Sequence, residues 1–371
     1  MPSFDLVFSW HAGNTYREQA ITSTYDLKDV KLEKHIKGNI PIEGLNWQIG
    51  CIVGSSGSGK TSIARHCWPE AYYADLKERY KEPCFLNDFP AELTISELGA
   101  ALSSTGFSEP PAWLKSYSVL SQGQKMRVDI AHALCLRQPL VVFDEFTSVI
   151  DRNVAQIGSF AISRAIRHHP GKQFIAVTCH FDVLDWLEPD WIYNVDSGEF
   201  FDYTNVKKKR CHPTIELTLH KCNLSMWQVF REHHYLNTER LGAGVRCYVA
   251  KMGDKPIAFI AVAHVHMLVN YFRVSRLVVL PDYQGIGVGK RLLNFVAELY
   301  TSQLPEIPFY LVTSNPQLIR SNLDGWRVKR VGHGSSGRNN SRINRELVKS
   351  NSKRRLSVSL QYIPKHKTRE A

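Results

Sequence analysis

Three short apolar runs lie in the first half of the chain; the first leads into a glycine-rich loop, and the other two end in polar residues. They read WQIGCIVG, PLVVFDE and QFIAVTCH, and segments of helical character lie between them, including KTSIARHCW after the first run. Apolar runs of this length that alternate with helices are typical of buried strands in a parallel sheet, whose ligand sites lie at the carboxyl ends of the strands. The pattern predicts an α/β domain over residues 1–205 with a site at that edge.

The hydrophobic pattern changes after a charged segment, NVKKKRCHP, which ends at Pro213. We predict a linker at 206–213 and a second domain at 214–371. In this domain SMWQVFREHHYL predicts an amphipathic helix, RCYVAKMGDKPIAFIAVAHV a hairpin that turns at GDKP, and YFRVSRLVVL a strand. GKRLLNFVAELY then predicts a helix, PFYLVTS and LSVSLQYI predict two further strands, and VGHGSSGRNNSRINR predicts a loop.

The composition is that of a globular protein without a membrane span. A chain of 371 residues with 43% hydrophobic residues is long enough for two domains, each with a core. The eight cysteines form no C-x-x-C pair, so neither zinc nor a disulfide framework is predicted, and a reducing, cytoplasmic location is expected. The N-terminal residues lack a signal-peptide pattern, and no apolar run approaches the roughly 18 residues of a membrane span.

The basic charge of the chain is concentrated at its C-terminal end. The formal net charge is +11, and residues 327–371 hold thirteen Lys or Arg against two Glu, so the remainder is neutral overall. A basic loop at 327–355 predicts contact with a polyanion, nucleic acid in particular. A solvated loop, or one that faces the phosphates of a cofactor, is the alternative. The candidate phosphate contacts are Arg338, Arg342, Arg345, Lys353, Arg354 and Arg355.

The stretch GSSGSGKTS matches the phosphate-binding pattern G-x-x-x-x-G-K-[ST]. Its glycines let backbone amides converge on phosphate oxygens, Lys60 is expected to reach the β- and γ-phosphates of ATP, and Thr61 to bind Mg²⁺. A Gly/Ser linker that contains Lys-Thr by chance is the alternative, which the strand before and the helix after disfavour. The predicted ATP-binding residues of the loop are Gly54, Ser55, Ser56, Gly57, Ser58, Gly59, Lys60, Thr61 and Ser62.

Two acidic residues follow the apolar strand LVVF. Asp144 at the end of a strand suits a ligand of Mg²⁺, and the adjacent Glu145 suits a general base for the attacking water. A strand-end turn without catalytic function is the alternative.

The segment VLSQGQKMRVDIAHAL resembles the L-S-G-G-Q signature of the ABC ATPase family, with Gln122 in place of the first glycine. The resemblance continues in DEFTSVID, whose last residue corresponds to the D-loop aspartate, and in IAVTCH, whose last residue corresponds to the switch histidine. It covers about residues 45–200 and implies a mixed sheet flanked by helices. The matching residues are Leu120, Ser121, Gly123, Gln124, Asp151 and His180.

This resemblance implies a mechanism. Two such domains pair head to tail, so Lys60 of one chain and Ser121 of the other bind the same ATP, and hydrolysis releases the dimer. Lys60, Glu145 and His180 are then catalytic. The loop glutamine of the family has no clear counterpart, and Asn87 or Asp88 takes its place. The short spacing from Lys60 to Asp144 leaves little room for docking to a membrane-spanning partner, so a transporter subunit is disfavoured.

A second glycine-rich loop lies between a predicted strand and helix, in RLVVLPDYQGIGVGKRLLNFV. Backbone amides at a helix N-terminus suit a pyrophosphate. The segment resembles the Q/R-x-x-G-x-G/A motif of the GNAT acyltransferase family, which follows the fourth strand. The resemblance covers about residues 215–365 and implies an α+β domain with a mixed central sheet that binds acetyl-CoA or another acyl-CoA. A second nucleotide loop or a structural turn is the alternative. The implied acyl-CoA-binding residues are Val278, Val279, Gln284, Gly285, Ile286, Gly287, Val288, Gly289 and Lys290.

The acid or base of the acyltransferase is not evident in the sequence. Many family members use a tyrosine after the fifth strand, and NPQLIRSNLDGWRVKRVG has none. The candidates are Tyr310, Ser314, Asn315, His233 and His234, although a histidine pair on a helix is more often packed or solvated than catalytic.

Three functions remain open. The favoured one is a nucleic-acid modifier, possibly of phage type, in which the ATPase acts on DNA or RNA and the acyltransferase modifies a base. This inference rests on analogy with the two families. The second is an ATP-regulated acetyltransferase of protein lysines or a small amine. The third is an ATPase with a GNAT-fold binding module that is not catalytic.

Overall fold

The computed structural model describes residues 2–11, 13–25, 31–73, 80–205, 214–235, 241, 244–266, 269–320, 323–333 and 356–364. They form two compact units that alternate along the chain. The first comprises Met1–Lys77, Leu136–Asp151 and Ala165–His212, and the second Glu78–Cys135, Arg152–Arg164 and Pro213–Ala371. The predicted first domain therefore contributes residues to both units. The predicted linker at 206–213 lies outside the described residues.

The first unit contains two sheets. The strands are β1 (Ser3–His11), β2 (Lys31–Asn39), β3 (Ile49–Val53), β4 (Leu140–Phe143), β5 (Gln173–Thr178), β6 (Trp191–Asn194) and β7 (Glu199–Asp202). β1 and β2 form an antiparallel pair, and the other five form a sheet in the order β4-β5-β3-β6-β7. All neighbours in this sheet are parallel except β6 and β7. The helices of the unit are α1 (Tyr16–Thr24), α2 (Lys60–Cys67) and α7 (Leu184–Leu187).

The five-stranded sheet is buried because its central strands are apolar throughout. Every residue of β3 is buried, as are five of the six in β5. Trp191 and Trp47 meet edge to face beneath the sheet, with their ring centroids 5.4 Å apart. This rigid edge carries the phosphate-binding loop after β3 and the acidic pair after β4.

The second unit begins with helices and continues with a larger sheet. Its helices are α3 (Ile95–Ser104), α4 (Pro110–Trp113), α5 (Gln122–Cys135), the first part of α6 (Arg152–Arg167), α8 (Trp227–Phe230), α9 (Val288–Gln303) and α10 (Pro316–Arg320). Its strands are β8 (Thr218–Cys222), β9 (Val245–Met252), β10 (Lys255–Val265), β11 (Tyr271–Val279), β12 (Phe309–Thr313), β13 (Trp326–His333) and β14 (Leu356–Tyr362).

The seven-stranded sheet is mixed, in the order β13-β14-β12-β11-β10-β9-β8. Only β11 and β12 are parallel to each other. α9 packs on the sheet through Leu293 and Val296, and its core also contains Ile157 and Ala161 of α6. These two residues of α6 therefore belong to the same core as the seven-stranded sheet.

Most elements predicted from the sequence are confirmed, including the α/β fold with two mixed sheets. The hairpin β9–β10 turns at Gly253, and β11, α9, β12 and β14 lie where they are predicted. The continuous helix predicted from SMWQVFREHHYL is wrong. The segment forms a 3₁₀ turn at Leu224–Met226, the single helical turn α8, and another 3₁₀ turn at Arg231–His233. Residues three positions apart lie on the same face of a helical turn, so Trp227 and Phe230 of α8 share one side, and both are buried in one core.

Candidate functional site

The predicted phosphate-binding loop connects β3 to α2, as the motif requires. α2 begins at Lys60, and the residue before it, Gly59, has φ of 107°. A side chain at Gly59 would meet the Cδ1 atom of Ile36. Both the positive φ and this close approach require glycine. The loop thus presents backbone N–H groups at the start of a helix, the arrangement that favours an anion.

The lysine of the loop is hydrogen-bonded to the backbone of the loop itself. Lys60 Nζ donates to the carbonyl oxygens of Gly54 at 3.0 Å and Ser55 at 2.6 Å. Asp196 holds the other side of the turn, because it accepts from Ser55 N at 2.6 Å and Ser55 Oγ at 2.9 Å. These hydrogen bonds lower the pKa of Asp196. Hydrogen bonds from Lys60 and to Asp196 thus hold both sides of the loop.

A cavity of about 420 Å³ lies over this loop. It brings together the loop and the acidic pair that the sequence predicts, since both Lys60 and Glu145 line it. Residues without a sequence motif also line it: Phe8 from β1, and Lys34 and Ile36 from β2. Lys34 Nζ donates to Gly57 O at 2.8 Å. The predicted site residues in its lining are Ser56, Gly57, Gly59, Lys60, Thr61, Ser62, Asp144 and Glu145.

The acidic pair after β4 has an unusual backbone. Glu145 is exposed to the cavity and has φ of 53°, in the left-handed region that residues other than glycine rarely adopt. Strain of this kind clusters at functional sites. Asp144 is fixed by two hydrogen bonds, from Tyr72 Oη at 2.5 Å and from Glu145 N at 2.9 Å. Burial and the bond to Asp144 raise the pKa of Tyr72 to about 12, so its hydroxyl remains a donor.

The residues predicted to bind magnesium supply oxygen atoms to the same cavity. The Thr61 hydroxyl and the Asp144 carboxylate are hard donors of the kind that Mg²⁺ prefers, and Mg²⁺ usually takes its other ligands from phosphates and water. Within the described ranges, no three or more His, Cys, Asp or Glu side chains are grouped so as to hold a metal ion by themselves. The donor set therefore fits a magnesium ion that arrives with a nucleotide.

Several other predicted residues of the first unit stand outside the lining of the cavity: Gly54, Ser55, Ser58, Asp151 and His180. Thr178 and Cys179 line it at the end of β5, and His180 follows directly, with its N–H bonded to Thr178 Oγ1 at 3.1 Å. Asp151 precedes α6. The loop residues Asn87 and Asp88 belong to the second unit, in a 3₁₀ turn where the Asp88 carboxylate accepts from Lys81 N at 3.2 Å.

The signature segment belongs to the second unit, where it starts α5. Ser121 Oγ accepts from Gln124 N at 3.3 Å, and Gln124 Oε1 accepts from Ser121 N at 3.0 Å. These reciprocal bonds form a capping box. Gln122, which replaces a glycine of the family pattern, is the first residue of the helix and is exposed. Leu120 is buried beneath the cap. Two of the signature residues therefore define the start of this helix.

The second glycine-rich loop follows the fourth strand of the second sheet, as predicted. β11 pairs with β12 at only three positions, from Phe272 with Phe309 to Val274 with Leu311. β11 continues to Val279. On its other side, β12 pairs with β14. Beyond Val274, the described residues of the two strands form no further pair. The strands therefore diverge and leave an open backbone edge beside the loop.

The start of α9 follows the end of β11 along the chain. Gly287 precedes the helix with φ of 88°, and a Cβ atom there would meet nothing within 4 Å. Gly289 allows the helix to approach β11, since its Cβ would lie 3.3 Å from Val279 Cγ2. The side chains of Ile286 and Val288 are buried in the core, which leaves only their backbone available for other contacts. Lys290 lies 3.6 Å from Asp324 Oδ2. The arrangement presents N–H groups at the start of a sixteen-residue helix.

Gln284 and Gly285, just before this helix, are held in place by hydrogen bonds to other segments. Gln284 Oε1 accepts from Ser108 N at 2.8 Å, and Gln284 Nε2 donates to Val279 O at 2.8 Å. Arg164 Nη1 donates to Gly285 O at 3.1 Å. Val278 points into a core. The predicted acyl-CoA residues therefore divide into a braced part, 284–285, and an open part that starts at Gly287.

A buried arginine of α5 holds the same loop. Arg127 is 2% exposed, and its Nη1 atom donates to Gly106 O at 2.7 Å and Pro281 O at 2.5 Å. Its Nη2 atom donates to Asp282 O at 2.9 Å. Burial lowers the pKa of Arg127 to about 10, so the guanidinium remains charged at neutral pH. The sequence gives no signal for this contact beyond an arginine at an apolar position of a helix.

The two candidate histidines are both engaged by neighbours. His233 Nδ1 is paired with Glu109, a carboxylate that is 4% exposed. The bond to Glu109 raises the pKa of His233, while partial burial acts in the opposite direction. His234 is 5% exposed and packs between the rings of Trp227 and Tyr235. His234 therefore lacks the solvent access expected of a general base, whereas the His233 side chain is 31% exposed and is held by Glu109.

The other acid–base candidates lie near the end of β12. Tyr235 Oη approaches Ser314 N at 3.4 Å, and Asn315 Oδ1 accepts from Gln317 N at the start of α10. Tyr310 lies edge-on to Tyr271. Ser314 is therefore the member of this group that lies beside the aromatic residues of 227–235.

Basic side chains lie exposed on the edge strand β13. They are Arg327, Lys329 and Arg330, and the strand carries a bulge between Val328 and Arg330. Charges and a bulge on an edge strand disfavour pairing with another strand. The six arginines and lysines predicted as phosphate contacts at 338–355 lie outside the described residues.

A family model for the acetyltransferase (GNAT) domain matches residues 243–319. No curated protein sequence matches the chain. None of the helices in the described ranges combines the length and the apolar character that crossing a bilayer demands.

Similar solved structures include both predicted kinds. A bacterial Atm1-family ABC exporter with ATP bound is 16% identical with a TM-score of 0.35, and the match covers 57% of this chain and 42% of the exporter. A dimeric ATP-binding cassette in a post-hydrolysis state with ADP and phosphate is 15% identical, with a TM-score of 0.39 and coverages of 54% and 97%. The Bacillus subtilis acetyltransferase in complex with CoA is 15% identical, with a TM-score of 0.29 and coverages of 41% and 99%.

The matched residues 243–319 run from the end of the loop before β9 to α10 and include the whole loop from Pro281 to Gly289. The resemblance predicted from that loop is therefore confirmed for this part of the chain. TM-scores below 0.5 add nothing to the assignment of the first part, which is based on its motifs and on the geometry of the phosphate-binding loop. The chain thus contains a GNAT acetyltransferase domain, combined with residues that carry the motifs of an ABC ATPase.

Proposed function

We propose that this protein is an ATP-hydrolysing, ABC-type ATPase joined to an acyl-CoA-dependent N-acyltransferase, and that its acceptor is an amine of nucleic acid. The observation that carries the acyltransferase part is the divergence of β11 and β12 directly beside the start of α9. It leaves an open strand edge for an amide-containing chain and a helix N-terminus for a pyrophosphate at one place.

The ATPase part follows from the cavity over the phosphate-binding loop. Lys60 leaves the carbonyls of Gly54 and Ser55 and binds the β- and γ-phosphates. Thr61 and Asp144 hold Mg²⁺, which neutralises charge on the phosphates when bound. Glu145 accepts the proton of the attacking water. Phe8 offers an exposed aromatic face for the base, and Lys34 a second positive charge.

The acyltransferase part places the cofactor across the opening of the sheet. The N–H groups from Gly287 to Gly289 face the pyrophosphate, and the free edge of β11 binds the pantetheine amides. The nitrogen of the acceptor amine attacks the thioester carbonyl, so a C–N bond forms and the C–S bond breaks. The CoA thiolate leaves and takes the proton that the amine releases. The aromatic residues of 227–235 and Ser314 border the acceptor side.

Nucleic acid as the acceptor is favoured by the distribution of charge. The exposed side chains of β13 form a basic strip that continues in sequence into the basic loop, while residues 1–326 are neutral overall. Such a strip binds a phosphate backbone without reading sequence. Acetyl-CoA and other acyl-CoA molecules are equally compatible with the loop. The ATP-dependent partner is a second copy of the chain, as the resemblance of the signature segment implies.

Nucleoside mass spectrometry tests the proposal. DNA and RNA are digested from cells that express wild type, Lys60→Ala or Gly287→Glu. We expect one new nucleoside mass in the wild type that both variants lack. If neither pool contains a new mass while the purified protein binds acetyl-CoA, the acceptor is a protein lysine or a small amine. If the purified protein does not bind acetyl-CoA, the acyltransferase assignment is wrong, and the domain is a binding module.

A further inference from the structure

We propose that Arg127 is a positioning residue for acyl-CoA and that, through it, α5 couples acyl-CoA binding to the state of the signature segment. The inference rests on the proposed function, because it assigns the loop at 281–289 to acyl-CoA and the signature segment to ATP. It concerns residues 78–135 and 152–164 on one side and the GNAT domain on the other, all within the second unit.

The hydrogen bonds of the Arg127 side chain go to backbone carbonyl groups. Its two terminal nitrogens donate to three carbonyl oxygens, two of which belong to Pro281 and Asp282 at the beginning of the loop. The guanidinium is removed from solvent, and each of these bonds involves a charged donor. Hydrogen bonds to charged groups are stronger than neutral ones, and a carbonyl left without a donor in a buried site is costly.

Two further contacts brace the same loop from the same side. Gly106 and Gly285 meet backbone to backbone, since a Cβ atom on Gly285 would lie 2.9 Å from Gly106 Cα and 2.9 Å from Ala161 Cβ. Ser108 N donates to the side chain of Gln284. The segment 281–285 therefore rests on α5, α6 and the turn after α3 rather than on the GNAT sheet alone. Gly287, two residues later, starts the open part of the site.

The same helix carries the signature segment at its N-terminus. A Cβ atom on Gly123 would lie 3.6 Å from Asp282 Oδ1, so the signature glycine is a neighbour of the loop. One turn later, Arg127 holds the carbonyl of that same Asp282. On the other side of the cap, Gln124 Nε2 lies 3.5 Å from Glu109, the carboxylate that pairs with His233. A ligand that engages Ser121 and Gly123 therefore acts on a helix whose next turn supports the acyl-CoA loop.

A rigid helix links the two sites over one turn, so a shift of its N-terminus moves the support of the loop. Coupling between two binding sites is reciprocal: if ATP changes the affinity for acyl-CoA by a factor, acyl-CoA changes the affinity for ATP by the same factor. Factors of about 5 to 150 are typical of such coupling. We expect ATP and acetyl-CoA to change each other's affinity by at least about fivefold, and Arg127 to be required for it.

Calorimetry on the full chain tests the inference. The dissociation constant of acetyl-CoA is measured with and without ATP in the Glu145→Gln background, which slows hydrolysis, and again with Arg127→Met added. We expect acetyl-CoA to bind about tenfold or more weakly with Arg127→Met, and its affinity to become independent of ATP. Lys125→Met removes the same charge from α5, two residues away, and is expected to leave both values unchanged.

A second measurement does not depend on a substitution in the core. Hydrogen exchange is followed in the wild-type chain as acetyl-CoA is added, and in Glu145→Gln as ATP is added. We expect acetyl-CoA to slow exchange in α5 from residue 122 onward, and ATP to slow exchange at 281–289. Unchanged exchange in both segments overturns the coupling even if Arg127→Met does not fold.

The outcomes separate the inference from the proposed function. If the wild type binds acetyl-CoA, and Arg127→Met is folded and binds it with the same affinity and the same response to ATP, only the role of Arg127 is wrong. If the wild type does not bind acetyl-CoA, the proposed function and the inference fail together. Lost affinity in Arg127→Met with an intact ATP response assigns Arg127 to the loop alone and overturns the coupling.

Discussion

At the scale of single residues, a few side chains in strained or buried positions account for most of the chemistry. Glu145 adopts a left-handed backbone at the end of β4 and faces the cavity over the phosphate-binding loop. Such a conformation costs on the order of 1–3 kcal/mol and persists where surrounding structure enforces it. Here the N–H of Phe146 is held by Val177 O at 2.9 Å, which fixes the turn in place.

The first prediction concerns this residue. Glu145→Gln keeps the size of the side chain and removes the proton acceptor. We expect steady-state ATP turnover to fall by about 100-fold or more, the range attributed to a general base, while ATP affinity stays within about threefold because Lys60 and the loop are unaltered. Phosphate release and nucleotide binding are measured on the same preparation. Turnover equal to that of the wild type removes Glu145 as the base.

The second prediction uses a matched pair at Gly287. Both Gly287→Glu and Gly287→Gln strain the backbone equally, since φ is 88° there, and both side chains enter open space. Only the glutamate adds a negative charge where the pyrophosphate of acyl-CoA is proposed to bind. We expect acetyl-CoA to bind about tenfold or more weakly to Gly287→Glu than to Gly287→Gln. Equal affinities would falsify the placement of the pyrophosphate at the start of α9.

At the scale of elements, the helices before the GNAT domain serve two parts of the chain. α5 begins with the signature segment and braces the loop after β11, and the turn before α4 supplies Glu109 to His233. Through His233, the segment 224–233 therefore contacts the N-terminal end of α4, which lies more than a hundred residues earlier in the chain.

The third prediction follows from the His233–Glu109 pair. The pKa of His233 is raised in the folded state, chiefly by the hydrogen bond to Glu109, with Glu232 adding to the rise and Lys115 opposing it. The stabilisation from this pair is therefore complete below the unfolded pKa of about 6.5 and is lost as the pH rises through the higher folded value. We expect the difference in melting temperature between the wild type and His233→Gln to be largest at about pH 5.5–6 and to shrink toward pH 9.

Melting curves of both proteins across this pH range provide the measurement. A difference that stays constant from pH 5.5 to 9 would mean that His233 does not titrate in this way. Glu109→Gln, which removes the carboxylate and keeps the shape, is expected to abolish the same pH dependence.

Local motifs predicted much of this structure, and contacts distant in sequence did not. GSSGSGKTS and YQGIGVGK each indicate the elements around them, because a glycine loop needs a strand before it and a helix after it. The contact of Arg127 with Asp282 joins residues 155 positions apart and follows no motif. Lys34 lines the cavity over the phosphate-binding loop, and Tyr72 bonds to Asp144, from segments without a motif. The spacing of Trp227 and Phe230 fits an α-helical turn and a 3₁₀ turn equally, so it could not predict that only one turn of this segment is α-helical.

At the scale of the whole molecule, the charge distribution sets the expected partner. The basic residues lie on β13 and in the sequence that follows it, and they have only two acidic neighbours from 327 onward. A surface of this kind binds a polyanion with an affinity that depends on the number of phosphates neutralised.

The fourth prediction is a salt dependence. We expect binding of duplex DNA in a gel shift to weaken steeply between 50 and 200 mM salt, and the slope of log K against log salt to become shallower by up to about three when Arg338, Arg342 and Arg345 are changed to Gln. Changing Lys221, Lys251 and Lys255 to Gln removes the same charge from β8, β9 and β10, at the other end of the strand order. An equal effect of both triple variants would show that only net charge matters.

The alternation of the two units has a consequence for synthesis of the chain. Arg127 precedes Asp282 by 155 residues, and Ile157 and Ala161 share a core with strands that begin after residue 213. At about 5–20 residues per second, a ribosome needs roughly 8–30 s to pass from the arginine to its acceptor. During this interval the early helices of the second unit lack the sheet on which they pack, so their apolar faces are open to the cell. We therefore expect the newborn chain to depend on chaperones until α9 has emerged.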